Sequence, residues 1–586
     1  MARRRFSISL PPIASGMRAA WQAGYGLNDL RQDVLAGLTI GTVAVPLSMA
    51  LAIATGVPPQ HGLYTAIVAG VIIALTGGTR FNVSGPTAAF VVILFPVVKQ
   101  FGLGGLLLAS MMAGVILLAM GVARLGRLIQ FVPYPVVLGF TAGIAVVIAV
   151  LQIPDLLGLE TRQLGEHFLH NITLIAAALP TLNPLELTLA FFCLGLMLIW
   201  PRLNIPLPAP LVGLVAGALA AYALNHWFGG NVVDTIASRF TWQAGGESGT
   251  GIPPIPPTLI APWQLPGPNG EPLVIDYALF RALLGPAFAI AMLGAIESLL
   301  CAVVADGLSK TRHDPNAELI GQGLGNILAP LFGGITATAA IARTATNVRS
   351  GARSPIAAVI HSLVVLLAVV ALAGLLGLVP MAALAALLLI VAWNMSEARH
   401  VWHTIRSAPV GDVAVLLTCF SLTVLFDMVL AVAVGVGLAA ALFIRRMAQL
   451  TRTDLLADAQ HPMIAALPKS VAVYDINGPL FFAVAEKALR LLHRIEPQVK
   501  VIILDLHDVP SMDASAMVAL QTLIADLQAA DIQLILAGMA PHIRRKLLRA
   551  GVRKIPGQLG FARDLEHAGR RALGWLEQPV TTSSTA

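Results

Sequence analysis

From about Val34 to Ile444 the chain is a near-continuous succession of apolar runs, and the pattern stops at Arg445-Arg446. No soluble core hides that much apolar surface. Only 11% of the 586 residues are charged, where soluble domains carry roughly 25%. The bulk of the chain therefore belongs in a bilayer. The net charge of +7 reads as loop Arg and Lys of a membrane protein. A nucleic-acid surface needs basic residues clustered on one soluble face, and none is evident. Cys193, Cys301 and Cys419 lie far apart in apolar runs and suit neither a disulfide framework nor a metal site. No cofactor is expected, and no catalytic constellation points to an enzyme. The N-terminal "MARRRFSISLPPIASG" lacks a continuous apolar region and a cleavage site, so residues 1–30 read as a cytoplasmic tail.

About fourteen apolar segments are expected between residues 31 and 446, several of them shorter than the roughly 20 residues of a simple span. Their centres fall near Val45, Val68, Val91, Leu117, Ala145, residues 174–194, Gly217, Leu293, Ile327, Thr344, Leu366, Leu387, Leu417 and Val436. Basic residues follow the even-numbered segments: Arg124, Arg202, Lys310, Arg349, Arg399 and Arg445 mark those loops. The positive-inside rule then puts both termini in the cytoplasm. The connection at 228–278, with its "GIPPIPP", is expected to be extended, irregular and outside.

Two short segments resemble each other. "GLYTAIVAGVIIALTGG" ends at Gly78, and "ELIGQGLGNILAPLFGG" ends 256 residues later at Gly334. Each leads into a polar or β-prone stretch, "TRFNVS" or "ITATAA", and then restarts as a helix at about Gly85 and about Ile341. Seven spans in each half would invert one copy relative to the other, with repeats at about 31–227 and 279–446. Interrupted segments at matching places in two halves point to a transporter site, because irregular backbone inside a bilayer survives only where it lines a cavity or pairs with protein. Pro86 suits a first helical turn. Gly85 lets a ligand approach the backbone. The amides of Thr87 and Ala88, at the positive end of a helix dipole, favour an anion.

Two charges sit deep in apolar sequence. Arg343, beside Ile341 and Ala342 at the start of the second half-helix, adds positive charge consistent with an anionic substrate. Glu297, in "LGAIESLLCAVV", is suited to a coupling proton, since a carboxylate taken out of water favours its neutral form. The plainer alternative is that Glu297 and Arg343 neutralise each other. Asp306 and Asp427 are expected near helix ends in solvated or capping roles, and Gln322 and Asn326 to join helices by hydrogen bonds. After the membrane part, strands "VAVYDI", "KVIILDL" and "IQLILAG" alternate with helices at about 482–494, 514–529 and 541–550, with Asp513 capping the second.

Taken together, "GVPPQHGLYTAIVAG", "VSGPTAA", "GAIESLL", the Arg343–Asn347 stretch and "LDLHDVPSMDASA" resemble the sulfate permease (SulP) family of anion transporters, over nearly the whole chain. The resemblance implies an α-helical polytopic membrane protein with 14 spans in a seven-plus-seven inverted repeat with two half-helices. It also implies a C-terminal cytoplasmic α/β STAS domain at 463–575 and a disordered tail at 576–586. Within the family the chain looks most like bacterial C4-dicarboxylic acid transporters. That implies proton-linked uptake of succinate, fumarate or aspartate across the bacterial inner membrane by a homodimer, with sulfate or bicarbonate transport as the alternative. Further alternatives are a membrane sensor, or a channel. Gly85, Thr87, Ala88, Ile341, Ala342 and Arg343 would contact the anion, Glu297 the proton, and the STAS domain a cytoplasmic protein partner. Three departures stand out. Leu47 occupies a first-helix position where many relatives carry Gln or Glu. Ala342-Arg343-Thr344 replaces a frequent Ser-Arg-Ser run. Ala514 follows Asp513 where phosphorylated STAS domains carry serine, leaving Ser515 one position late.

Overall fold

The computed structural model describes residues 13–127, 132–160, 164–165, 167–203, 205, 207–244, 247–265, 267, 271, 273–426, 428–450, 452–455, 467–480 and 497–577. Asp427, the expected helix at 482–494 and the end of the chain after 577 lie outside the described residues. Two compact units are present, Met1–Gly437 and Leu438–Ala586.

The first unit is helical. The expected N-terminal tail contains a helix, α1 (Ser15–Gln22), before the first long helix α2 (Leu27–Ala54). Then come α3 (Pro59–Thr76), a two-residue strand β1 (Ser84–Gly85) and α4 (Ala88–Val122). Gly102, at φ 69, divides α4 into two arms. There follow α5 (Tyr134–Leu151), α6 (Ile153–Leu157), α7 (Phe168–Ala178), α8 (Pro184–Ile199) and α9 (Ala209–Phe228). The connection expected to be irregular contains α10 (Ile236–Arg239) and a hairpin of β2 (Thr241–Ala244) and β3 (Glu247–Thr250). The two strands carry no apolar alternation that would announce them.

The second half repeats the first: α11 (Tyr277–Ser309), α12 (Pro315–Leu328), strand β4 (Thr338–Ala339), α13 (Ile341–Arg349), α14 (Ile356–Gly377), α15 (Met381–Met395), the amphipathic α16 (Ala398–Ser407), α17 (Val410–Leu425) and α18 (Met428–Leu450). Among the described residues nine helices are long and apolar enough to cross a membrane. α4 is counted once although Gly102 divides it, and α7, α12, α13 and α17 are too short for that measure, which leaves the count compatible with fourteen crossing segments. The packing shows the duplication directly. α4 packs on α11 and α12, while α14 packs on their counterparts α2 and α3. Helices meet closely where glycines face each other: a Cβ on Gly114 of α4 would lie 2.8 Å from the carbonyl oxygen of Gly323 on α12. Close approach through small residues is how helices associate where lipid is as apolar as the side chains.

The second unit holds a five-stranded sheet in the order β5 (Arg452–Leu455), β6 (Val471–Asn477), β7 (Val501–Asp505), β8 (Gln533–Ala537), β9 (Leu559–Phe561), parallel from β6 onward. Parallel strands buried on both faces read as continuous apolar runs. That explains why β6 to β8 were legible and the short edge strands β5 and β9 were not. Asp513 caps the helix Ala514–Ala529, accepting from the amide of Ala516 at 2.8 Å.

Candidate functional site

Both expected breaks exist, and they meet. β1 and β4 pair antiparallel, Ser84 opposite Ala339 and Gly85 opposite Thr338. Beyond β1 the first half-helix starts at Ala88 with Thr87 at its N-cap; beyond β4 the second starts at Ile341 with Ala340 at its N-cap. Backbone groups freed by the breaks are answered across the crossing. The amide of Ala340 donates to the carbonyl of Val83 at 3.1 Å, and the amide of Val83 donates to the Thr344 hydroxyl at 3.0 Å. α11 braces the crossing through Ser298, whose hydroxyl lies 2.6 Å from that of Thr338. Partners of this kind for buried amides are what permit irregular backbone away from water.

The two charges converge on this crossing. Arg343 is 3% exposed. Its Nη2 donates to the carbonyl of Pro86 at 2.5 Å, while Nε and Nη1 have no partner among the described residues. A Cβ on Gly85 would lie 2.7 Å from Nη1, so any side chain there would push the guanidinium from its place. Glu297, half-buried on α11, accepts from the Thr87 hydroxyl at 3.1 Å. No ion pair joins Glu297 to Arg343 among the described residues; each charge is held by the first break instead, through Thr87 and Pro86. A buried guanidinium with spare donors retains capacity for an anion, and a carboxylate outside a salt bridge retains capacity for a proton. Gly85, Thr87 and Ala88 are buried, whereas Ile341 and Ala342 are exposed. The structure therefore gathers Gly85, Thr87, Ala88 and Arg343 with Glu297 at one crossing but gives the side chains of Ile341 and Ala342 an outward face.

Several participants are absent from the sequence reading. Glu318, fully buried on α12, accepts from the amides of Gly78 and Thr79 at 2.9 and 3.2 Å. It also accepts from the side-chain amides of Asn82 and Gln322 at 2.9 and 3.2 Å. Its place three residues after Pro315 reads as a first-turn acid, which masked it. Asn326 exchanges two hydrogen bonds with the backbone of Ala337, at 2.9 and 2.7 Å, so it ties α12 to the second break and not, as expected, to another helix. His361 is fully buried on α14. A lone histidine in so apolar a helix is itself a signal. Asp306 accepts from Thr311 and His313 at 3.1 and 2.8 Å, an end-of-helix role as expected.

Two half-helices whose N-termini are drawn together, beside one cation and one carboxylate, define a helical membrane transporter of the broken-helix class. Residues 30–419 match the model described as "Sulfate permease family", and 463–568 match the STAS domain. The chain belongs to the sulfate permease family. It is a multi-pass anion transporter with a C-terminal STAS domain, not an enzyme. It is 40% identical to the putative sulfate transporter YvdB of Bacillus subtilis, over 90% of this chain and 95% of that one. It is 29% identical to the bicarbonate transporter BicA of Picosynechococcus, over 89% and 90%. The transmembrane domain of a cyanobacterial BicA superposes with TM-score 0.60 at 28% identity, covering 70% of this chain and 98% of that one. SLC26A9 superposes with TM-score 0.78 at 18% identity, over 92% and 89%, and so shares the fold.

Proposed function

We propose that this anion transporter carries a C4-dicarboxylate such as succinate, fumarate or aspartate inward together with a proton, by alternating access. In this reading it works as a homodimer in a bacterial inner membrane, with both termini in the cytoplasm. The observation that supports it most is the separation of Glu297 from Arg343 at one crossing. An anion can take the free donors of Arg343 while a proton neutralises Glu297, and neither has first to break an ion pair. Leu47 removes a polar group from the first helix and suits an organic anion better than sulfate. Sulfate or bicarbonate is the second reading, favoured by the names of the relatives at 40% and 29% identity. Purified protein in liposomes, with labelled succinate, sulfate and bicarbonate under an imposed pH gradient, tests both. Succinate accumulation that follows the pH difference is expected. Accumulation of sulfate or bicarbonate alone overturns the dicarboxylate, movement of no anion overturns transport in favour of a sensor, and currents independent of pH favour a channel.

A further inference from the structure

A polar cavity of about 310 Å³, with none of Gly85, Thr87, Ala88, Glu297 or Arg343 in its wall, is lined by α1, the turn at 78–80 and the segment 306–314. α1 is fastened over it. The amide of Ala14 donates to the carbonyl of Thr76 at 2.9 Å, that of Gly16 to Gly77 at 3.2 Å, and Arg80 Nη2 to the carbonyl of Ala19 at 2.5 Å.

The acids in this wall are occupied by the protein itself. Asp306 accepts from Thr311 Oγ1, from the His313 amide and from His313 Nδ1, at 3.1, 3.0 and 2.8 Å. Asp314 accepts from the amides of Asn316 and Ala317 at 3.0 and 3.2 Å, capping α12. The donors are left over. Arg312 forms no ion pair among the described residues. The His313 side chain is 5% exposed, and its Nε2 has no partner among the described residues; nor has Ser15 Oγ. With Nδ1–H donated to Asp306, Nε2 is the ring atom left for a ligand and can accept from the P–OH of a phosphate group.

We propose that this cavity is a second anion site, distinct from the transport site, that takes a phosphate-type oxyanion on Arg312, Arg80 and His313. A ligand there joins α1, the turn that leads into the first break and the α11–α12 connection. The phosphate group can be free or part of a lipid headgroup.

Full-length protein in phosphatidylcholine nanodiscs, titrated with labelled inorganic phosphate, tests this. Saturable binding at millimolar concentration is expected. Arg312 is itself exposed in the α11–α12 connection, so Arg312→Gln should fold normally and bind at least about tenfold more weakly, the loss of charge-assisted hydrogen bonds. Arg312→Lys should recover part of the affinity, and Arg343→Ala should leave phosphate binding unchanged. Displacement of phosphate by phosphatidic acid in the disc, sensitive to Arg312→Gln, identifies a headgroup as the occupant of the same site. Absence of saturable binding, or binding that Arg343→Ala removes and Arg312→Gln spares, overturns the proposal.

Discussion

Arg343 and Glu297 are neighbours that do not bind each other, and their substitutions should fail differently. Arg343→Ala removes two unpartnered donors at the crossing, so anion affinity should fall about ten- to a hundredfold, as for loss of charge-assisted hydrogen bonds. Isothermal titration with a protein that still elutes as a folded species checks it; unchanged affinity would make the residue structural. Glu297→Gln keeps the shape and neutrality of the protonated carboxyl and can still meet Thr87. It should bind and exchange anion but lose accumulation driven by a pH gradient. Accumulation at the parent level would place the proton elsewhere. Both residues were legible because a charge in an apolar run is expensive and seldom incidental. Glu318 was not, because its backbone donors lie just past the end of another helix, 239 and 240 residues away in sequence. Only the fold makes that carboxylate a hub.

At the scale of elements, the α3–α12 joint shows what such a hub does. Glu318 ties the Gly78–Thr79 turn of one repeat to the helix of the other. Glu318→Gln would turn an amide donor toward the donors that the carboxylate now accepts from and leave one of them unsatisfied, at about 1–3 kcal/mol. A lower midpoint of thermal unfolding in detergent is expected, with little change in anion affinity for the molecules that remain folded. The breaks themselves were readable, since a Gly-Gly pair, then polar residues, then a fresh helix start cannot continue one straight helix between apolar runs. Their pairing was not: two residues per strand give no periodicity, and the partner of Ser84 lies at Ala339. α1 and the β2–β3 hairpin escaped for a similar reason, being short and without a sustained apolar face.

Over the whole molecule, every residue of the crossing lies within Met1–Gly437. A chain ending after Leu450 should therefore still bind anion with parental affinity. Loss of binding in a monodisperse truncated protein would show that the STAS unit shapes the site. The end of the apolar part was plain in the sequence because hydropathy and charge change together at Arg445, although the units divide at Gly437–Leu438, inside α18. The central strands of the STAS sheet were equally plain, but its edges and the relation of α1 to the helix bundle depend on packing that no local pattern announces.

The β1–β4 pair also works as a built-in clock. The amides of Val83 and Ala340 are hydrogen-bonded across the crossing, so neither can take up deuterium unless the two half-helices part. If alternating access moves the crossing as one body, both amides will stay slow to exchange through continuous turnover, while exchange quickens in segments that slide past it. Fast exchange at Val83 and Ala340 when substrate is added would mean instead that the breaks separate once in every cycle.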